Sequence, residues 1–240
     1  MTKNKPALIE ETITLFAKDR RIFLREGSHA DREVFSQIFV QQQYDTAIFP
    51  QDAFLWIAYH DIIEKKRSPI IIDCGAYIGL SALYYSTKYP EAIIVAIEPD
   101  EENHNMLKRN TETIANVITV NSAVDCRNNA YKLVDLGFGE WGYRIEGCTT
   151  EIEGNNRTKT INDLVNLCGG KLEDLFIIKI DIEGSEYSLF QDNLDWIASA
   201  DLIVAELHDR LFPGQGRSAP FLKAVAEQNR DFLYSGENVF

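Results

Sequence analysis

The sequence predicts a doubly wound α/β fold on a mainly parallel sheet, and three observations carry that prediction. Apolar runs of strand length recur from residue 70 onward: IIIDC, AIIVAIEP, NVITVNSAV, LFIIKIDIEG and DLIVAELHD. Their near-continuous Ile and Val content marks strands buried on both faces, as in parallel sheets. Segments of helical periodicity alternate with them, which gives a Rossmann-like layout. An acid and two glycines then mark the first strand-to-helix turn, in DCGAYIG.

Taken in order, residues 1–68 read as an N-terminal α+β elaboration packed on the core, and residues 69–240 as the ligand-binding domain. ETITLFAKDRRIFLRE holds two β-rich runs around the polar KDR, which predicts a hairpin. DREVFSQIFVQQQY spaces Val34, Ile38 and Phe39 at helical intervals. PQDAFLWIAYHDIIEKK opens with Pro50 and Asp52 and closes in lysines, so it reads as an amphipathic helix with Trp56 in the core. Further helices are expected from Leu80 to Tyr89, Glu101 to Ala115, Ser185 to Ile197 and Pro220 to Asn229. One segment breaks the alternation after the third core strand. YKLVDLGFGEWGYRIEGCTTEIE reads as short strands and Gly-rich turns, a β-insertion over one sheet edge or the mouth of the site. Trp141 within it is either an aromatic face for a ligand or part of a hairpin turn.

The totals narrow the function. A chain of 240 residues buries a substantial core as one large domain. The formal net charge of −13 argues against clamping nucleic acid phosphates and against docking on anionic lipid. Cys74, Cys126, Cys148 and Cys168 form no CxxC pair and match no zinc spacing, so they read as reduced, packed thiols. The N-terminus lacks an apolar signal core and no run reaches membrane-spanning length, so a cytoplasmic protein is expected.

In an open α/β sheet, ligands bind at the carboxyl ends of the strands. Asp73 ends the first core strand, and Gly75 and Gly79 allow close approach of backbone in the turn. Glu98 ends the second strand, 25 residues on, where a carboxylate accepts from a ribose diol. A dinucleotide site carries G-x-G-x-x-G so that amides meet a pyrophosphate. Here Asp73 takes the place of the first glycine, and an acid repels pyrophosphate. A ribonucleoside with positive charge and no phosphate fits better, and S-adenosyl-L-methionine is such a ligand. An NAD-dependent oxidoreductase or epimerase on the same layout stays open, as does a binding module without turnover.

IIDCGAYIG, AIEPDEENHNMLKRN, VNSAV, FIIKIDIEGSE and LIVAELHD together resemble the successive motifs of the FkbM-type class I S-adenosylmethionine-dependent methyltransferases. The resemblance runs from about Arg25 onward, and REGSHADREVFSQIFVQQQYD lies upstream of the core motifs. It implies methyl transfer to a hydroxyl of a small acceptor, a sugar or a polyketide-like natural product. It also implies that Asp73, Gly75, Ala76, Tyr77 and Gly79 shape the methionine end, and that Glu98 holds the ribose with Pro99 and Asp100 beside it. Ser122 and Ala123 would flank the adenine, and Asp181 would stand nearest the methyl. Tyr77 departs from the asparagine common at that position.

An alcohol acceptor loses a proton during attack, and Asp181, Glu183, Glu206 and His208 are the candidate proton acceptors. Lys179 and Asp181 share a strand face, so an ion pair that keeps Asp181 charged is expected, leaving His208 as the base. Glu183 reads as a helix N-terminal acid. His29, His60 and His104 read as surface or packing residues. No metal is required by the spacing, although Asp181, Glu206 and Asp209 offer oxygens near one another.

Overall fold

The structure is a computed structural model that describes residues 6–135, 143–147 and 156–240. The chain opens on a hairpin in which β1 (Leu8–Leu15) pairs antiparallel with β2 (Lys18–Arg25). Its turn falls on Phe16 and Ala17, both at positive φ, so KDR lies just past the turn and already pairs in β2. A two-residue connection needs that left-handed backbone to match the twist of its strands. The register turns Ile22 and Leu24 into the core.

Helix α1 (His29–Phe35) is capped by Ser28, whose hydroxyl accepts from the Asp31 amide, and it runs on into a π-helical turn at Ser36–Val40. Helix α2 (Asp52–Glu64) follows as expected. Its Trp56 is half-buried rather than enclosed, edge-to-face with Tyr59 and tilted against Tyr89. The core then alternates: β3 (Ile70–Cys74), α3 (Leu80–Lys88), β4 (Ile93–Ile97), α4 (Glu101–Thr111) and β5 (Val117–Val120). The β-insertion is present as an antiparallel pair, β6 (Tyr131–Asp135) and β7 (Tyr143–Gly147). Trp141 and Cys148 lie outside the described residues. Helix α5 (Ile161–Leu167) starts at a capping box between Thr160 and Asp163 and leads to β8 (Leu175–Ile180).

The helix expected from Ser185 to Ile197 is two short ones, α6 (Glu186–Leu189) and α7 (Asp195–Ser199). Asp192 and Asn193 break it. The Asp192 carboxylate accepts from the Asn193 amide, Asn193 sits at positive φ, and its side chain donates to the Cys126 carbonyl. Such local side-chain bonds compete with helix propagation. The chain continues through β9 (Leu202–Glu206), α8 (Ala219–Ala226), β10 (Tyr234–Ser235) and β11 (Asn238–Val239).

The main sheet has the order β10-β11-β9-β8-β3-β4-β5. The five strands from β9 to β5 are mutually parallel, and β11 runs antiparallel to β9. The side chains of β3 alternate between two cores. Ile71 joins Tyr59, Tyr85, Tyr89 and Phe176 on the side covered by the N-terminal elements and α3. Ile70, Ile72 and Cys74 join Trp196, Phe190 and Phe221 on the other. Helices thus cover both faces, and the carboxyl ends of the parallel strands open on one edge.

Candidate cofactor and catalytic site

The turn after β3 is built by close backbone approach. A Cβ on Gly75 would fall 1.8 Å from the Asp181 carbonyl oxygen, and one on Gly79 would fall 2.6 Å from Leu107 of α4. Both glycines have positive φ. The amides of Gly75 and Ala76 donate to the Ile97 carbonyl at 3.1 and 3.0 Å, and the Tyr77 amide donates to Glu98 Oε2 at 3.0 Å. Three successive loop amides are therefore bonded within the protein rather than held open for a phosphate.

Asp73 does not face this cleft. It is fully buried, accepts from the Ser81 hydroxyl at 2.5 Å, and lies 3.3 Å from Lys179 Nζ. Lys179 is buried too and donates to the Gly75 carbonyl at 2.7 Å, so it ties β8 to the loop from beneath. Burial works against its charge, but Tyr44, Asp73 and Asp181 outweigh burial and hold the ammonium well above its usual range. The expected effect on Asp181 is reversed. Its carboxylate is 3.5 Å from Lys179, yet burial exceeds that attraction and raises its pKa.

Gly75, Tyr77, Glu98 and Pro99 line the cleft on the β3–β4 side, with Ser122 and Ala123 after β5 and Asp181, Ile182 and Glu183 after β8. Among the described lining residues there are three carboxylates, Glu98, Asp181 and Glu183, and neither lysine nor arginine. Glu98 is buried, and its other oxygen accepts from the Asp100 amide at 2.9 Å. Burial pushes it up to about 8 against those two amide bonds. Asp100 stands back from the cleft as the N-cap of α4, accepting from the Asn103 amide. The Ser122 hydroxyl donates to the Arg157 carbonyl. A larger cavity of about 400 Å³ lies under the start of β9, walled by Phe49, Leu55 and Phe232, and holds none of the sequence-predicted site residues.

Tyr77 sits at positive φ, and its hydroxyl donates to Asp31 Oδ1 at 2.7 Å. Arg25 pairs with Asp31 at 2.6 Å and donates to the Tyr77 oxygen and to Asn103 Oδ1. Burial would raise Asp31, and the Arg25 and Tyr77 hydrogen bonds reverse that and hold it low. The N-terminal segment is thereby locked onto the loop, a contact the sequence motifs did not reveal.

His208 is fully buried behind Asp181. Its Nδ1 meets Glu186 Oε1 at 3.0 Å, and Nε2 faces Glu206 at 3.4, Glu183 at 3.5 and Asp181 at 3.8 Å. Burial favours its neutral form, but Glu186 and Glu206 push it up to about 11, so without another cation it is charged at neutral pH and accepts no proton. Glu206 also accepts from Arg210 at 2.9 Å; burial opposes its ionisation, and His208 and Arg210 reverse that and hold it low. The turn amides of Ile182 and Gly184 are served by Glu186, not by the expected Glu183. Glu183 instead lines the cleft, at positive φ. Burial pushes its carboxyl up to about 7, with Asp181 adding to the rise.

A parallel sheet in this order with one antiparallel strand, carrying a buried acid after β4 and loop amides already bonded after β3, is the class I methyltransferase scaffold. The methyltransferase FkbM domain model matches residues 73–234, and the chain belongs to that family. Curated relatives include "Methyltransferase sdnD" of Sordaria araneosa, 32% identical over 107 residues, which are 45% of this chain and 32% of that protein. Another is "Hexuronic acid methyltransferase AglP" of Haloferax volcanii, 23% identical over 152 residues, which are 62% of this chain and 60% of that one. The matched regions thus span about a third to three-fifths of these relatives' length. Among solved structures, the precorrin-6y C5,15-methyltransferase of Geobacter metallireducens is 10% identical with a TM-score of 0.37, covering 81% of this chain and 88% of that one. S-adenosylmethionine is the cofactor of this family, and the acid-lined cleft fits a cationic ribonucleoside. No described helix is long and apolar enough to cross a membrane.

Proposed function

We propose that the chain is an S-adenosylmethionine-dependent O-methyltransferase acting on a hydroxyl of a small sugar-like or natural-product-like acceptor. One observation carries the reading: the amides of Gly75, Ala76 and Tyr77 are already bonded to Ile97 and Glu98, above a cleft lined by carboxylates. A pyrophosphate needs free amides or cationic side chains; it finds no free amide at Gly75, Ala76 or Tyr77 and no lysine or arginine among the described lining residues. Repulsion of phosphate comes from Asp181 and Glu183 rather than from Asp73, which Lys179 neutralises beneath the loop.

When bound, S-adenosylmethionine supplies a methyl group on a positively charged sulfur, which is a good leaving group. Glu98 accepts from the ribose hydroxyls, and Ser122 and Ala123 bracket the base. Asp181 faces the cationic end. Glu183 is the group we assign to take the acceptor's proton, because it lines the cleft while Glu186 serves the turn amides. His208 and Glu206 stand behind both acids and hold them in place. The acceptor class follows the name of the hexuronic acid methyltransferase relative.

Calorimetry with S-adenosylmethionine, its demethylated product and NAD tests the cofactor. Label transfer to a panel of uronic acids and other hydroxylated acceptors tests the reaction. Binding of the first two and not of NAD is expected, and tight NAD binding would overturn the proposal. Glu183→Gln is expected to lower kcat about 10²–10⁴-fold with cofactor affinity unchanged.

A further inference from the structure

Behind the cleft, ligand atoms of Asp181, Glu206 and His208 converge within 4.8 Å of one another. Asp181 follows β8, Glu206 ends β9, and His208 lies two residues on, so two neighbouring parallel strands bring them to one edge. His208 is fully buried, and its Nε2 has no hydrogen-bond partner. The other ring nitrogen is tied at 3.0 Å to Glu186, itself fixed by the amides of Ile182 and Gly184. A histidine whose Nδ1–H is held by a carboxylate presents a lone pair at Nε2, the arrangement that orients metal-binding imidazoles. Nε2 faces the carboxylates of Glu206, Glu183 and Asp181 at 3.4, 3.5 and 3.8 Å, and a divalent cation bound among them would take the place of the proton that Nε2 otherwise carries. Carboxylates gathered this closely need a cation among them.

The local charges point the same way. Lys179 meets Asp73 and Asp181 and Arg210 meets Glu206, whereas Glu183 and Glu186 pair with His208. The Arg210 side chain is largely exposed, so water screens its pair with Glu206. We propose that Asp181, Glu206 and His208 form a divalent cation site of the Mn²⁺ class. Two carboxylates and one imidazole suit a first-row ion better than Ca²⁺, which takes six to eight oxygens. Asp209, the oxygen donor suggested by the sequence, is outside the group and accepts from the Ser218 amide instead. The site adjoins Asp181 and Glu183 of the cleft, where a cation would meet an acceptor oxygen. That role rests on the methyl-transfer reading, whereas the binding itself does not.

The test is a Mn²⁺ titration of the full chain followed by electron paramagnetic resonance, with no cofactor or acceptor present. One saturable equivalent with imidazole nitrogen coupling is expected. His208→Gln and Glu206→Gln should each weaken binding at least tenfold, and Asp209→Asn should leave it unchanged. No saturable binding to the wild type, or unchanged binding in His208→Gln, overturns the site. If His208→Gln does not fold by circular dichroism, Glu206→Gln decides. S-adenosylmethionine affinity is measured separately, so loss of the cation site leaves the methyl-transfer reading standing.

Discussion

The Tyr77 hydroxyl donates to Asp31 at 2.7 Å, joining the cofactor loop to the N-terminal segment within a buried network that Arg25 completes. Tyr77→Phe deletes two buried hydrogen bonds, one donated to Asp31 and one accepted from Arg25, and should cost about 1–3 kcal/mol. Arg25→Met leaves the Asp31 charge uncompensated and should cost about 3–5 kcal/mol. Urea denaturation of both variants checks the order, and equal losses would refute it.

Glu98 has its folded value near 8 because burial outweighs its amide bonds. Its unfolded value is near 4.5. Between those values the folded chain binds more protons than the unfolded one, so this group's contribution to stability falls as pH rises from about 4.5 to 8. Ribose hydroxyls donate best to the ionised carboxylate. Cofactor binding at pH 7 should therefore release a proton, and affinity should rise with pH and level off above about 8. Glu98→Gln should abolish the proton release and weaken binding by about 1.5–3 kcal/mol. Calorimetry in buffers of different ionisation enthalpy measures both.

Lys179 neutralises the fully buried Asp73. Lys179→Met should cost about 3–5 kcal/mol by stranding that charge. Adding Asp73→Asn should recover part of the loss. A double variant no more stable than the single one in guanidinium denaturation would show that the pair is not coupled.

Gly27 and Gly79 share positive φ, but a Cβ meets nothing within 4 Å at Gly27 and Leu107 at 2.6 Å at Gly79. Alanine at Gly27 should cost about 1 kcal/mol from backbone strain alone. Alanine at Gly79 should cost distinctly more, because α3 must move off α4. Melting temperatures of the two variants separate strain from clash.

The parallel core was legible because Ile and Val runs buried on both faces have few alternatives, and Asp73, Glu98 and Asp181 do end or follow their strands as read. What those acids face was not legible. Spacing along a strand set Lys179 beside Asp181, yet Asp73 from another strand lies nearer, and burial reverses the expected shift of Asp181. His208 read as a base because three of its four carboxylate neighbours, Asp181, Glu183 and Glu186, follow another strand and are distant in the chain. Glu183 and Glu186 exchanged roles, because one helical turn holds both and only the backbone conformation decides which meets the amides. The two-residue strands β10 and β11 are too short to show a period.

The bond from Lys179 to the Gly75 carbonyl spans 104 positions of the chain. The two middle strands of the sheet must therefore find each other across a long loop before the loop entropy is recovered, which makes for slow refolding. The seam between β3 and β8 is also the floor of the cleft. A chain caught with that seam open has no nucleoside site at all, so ligand-binding competence should appear in a refolding experiment only with the last, slowest phase.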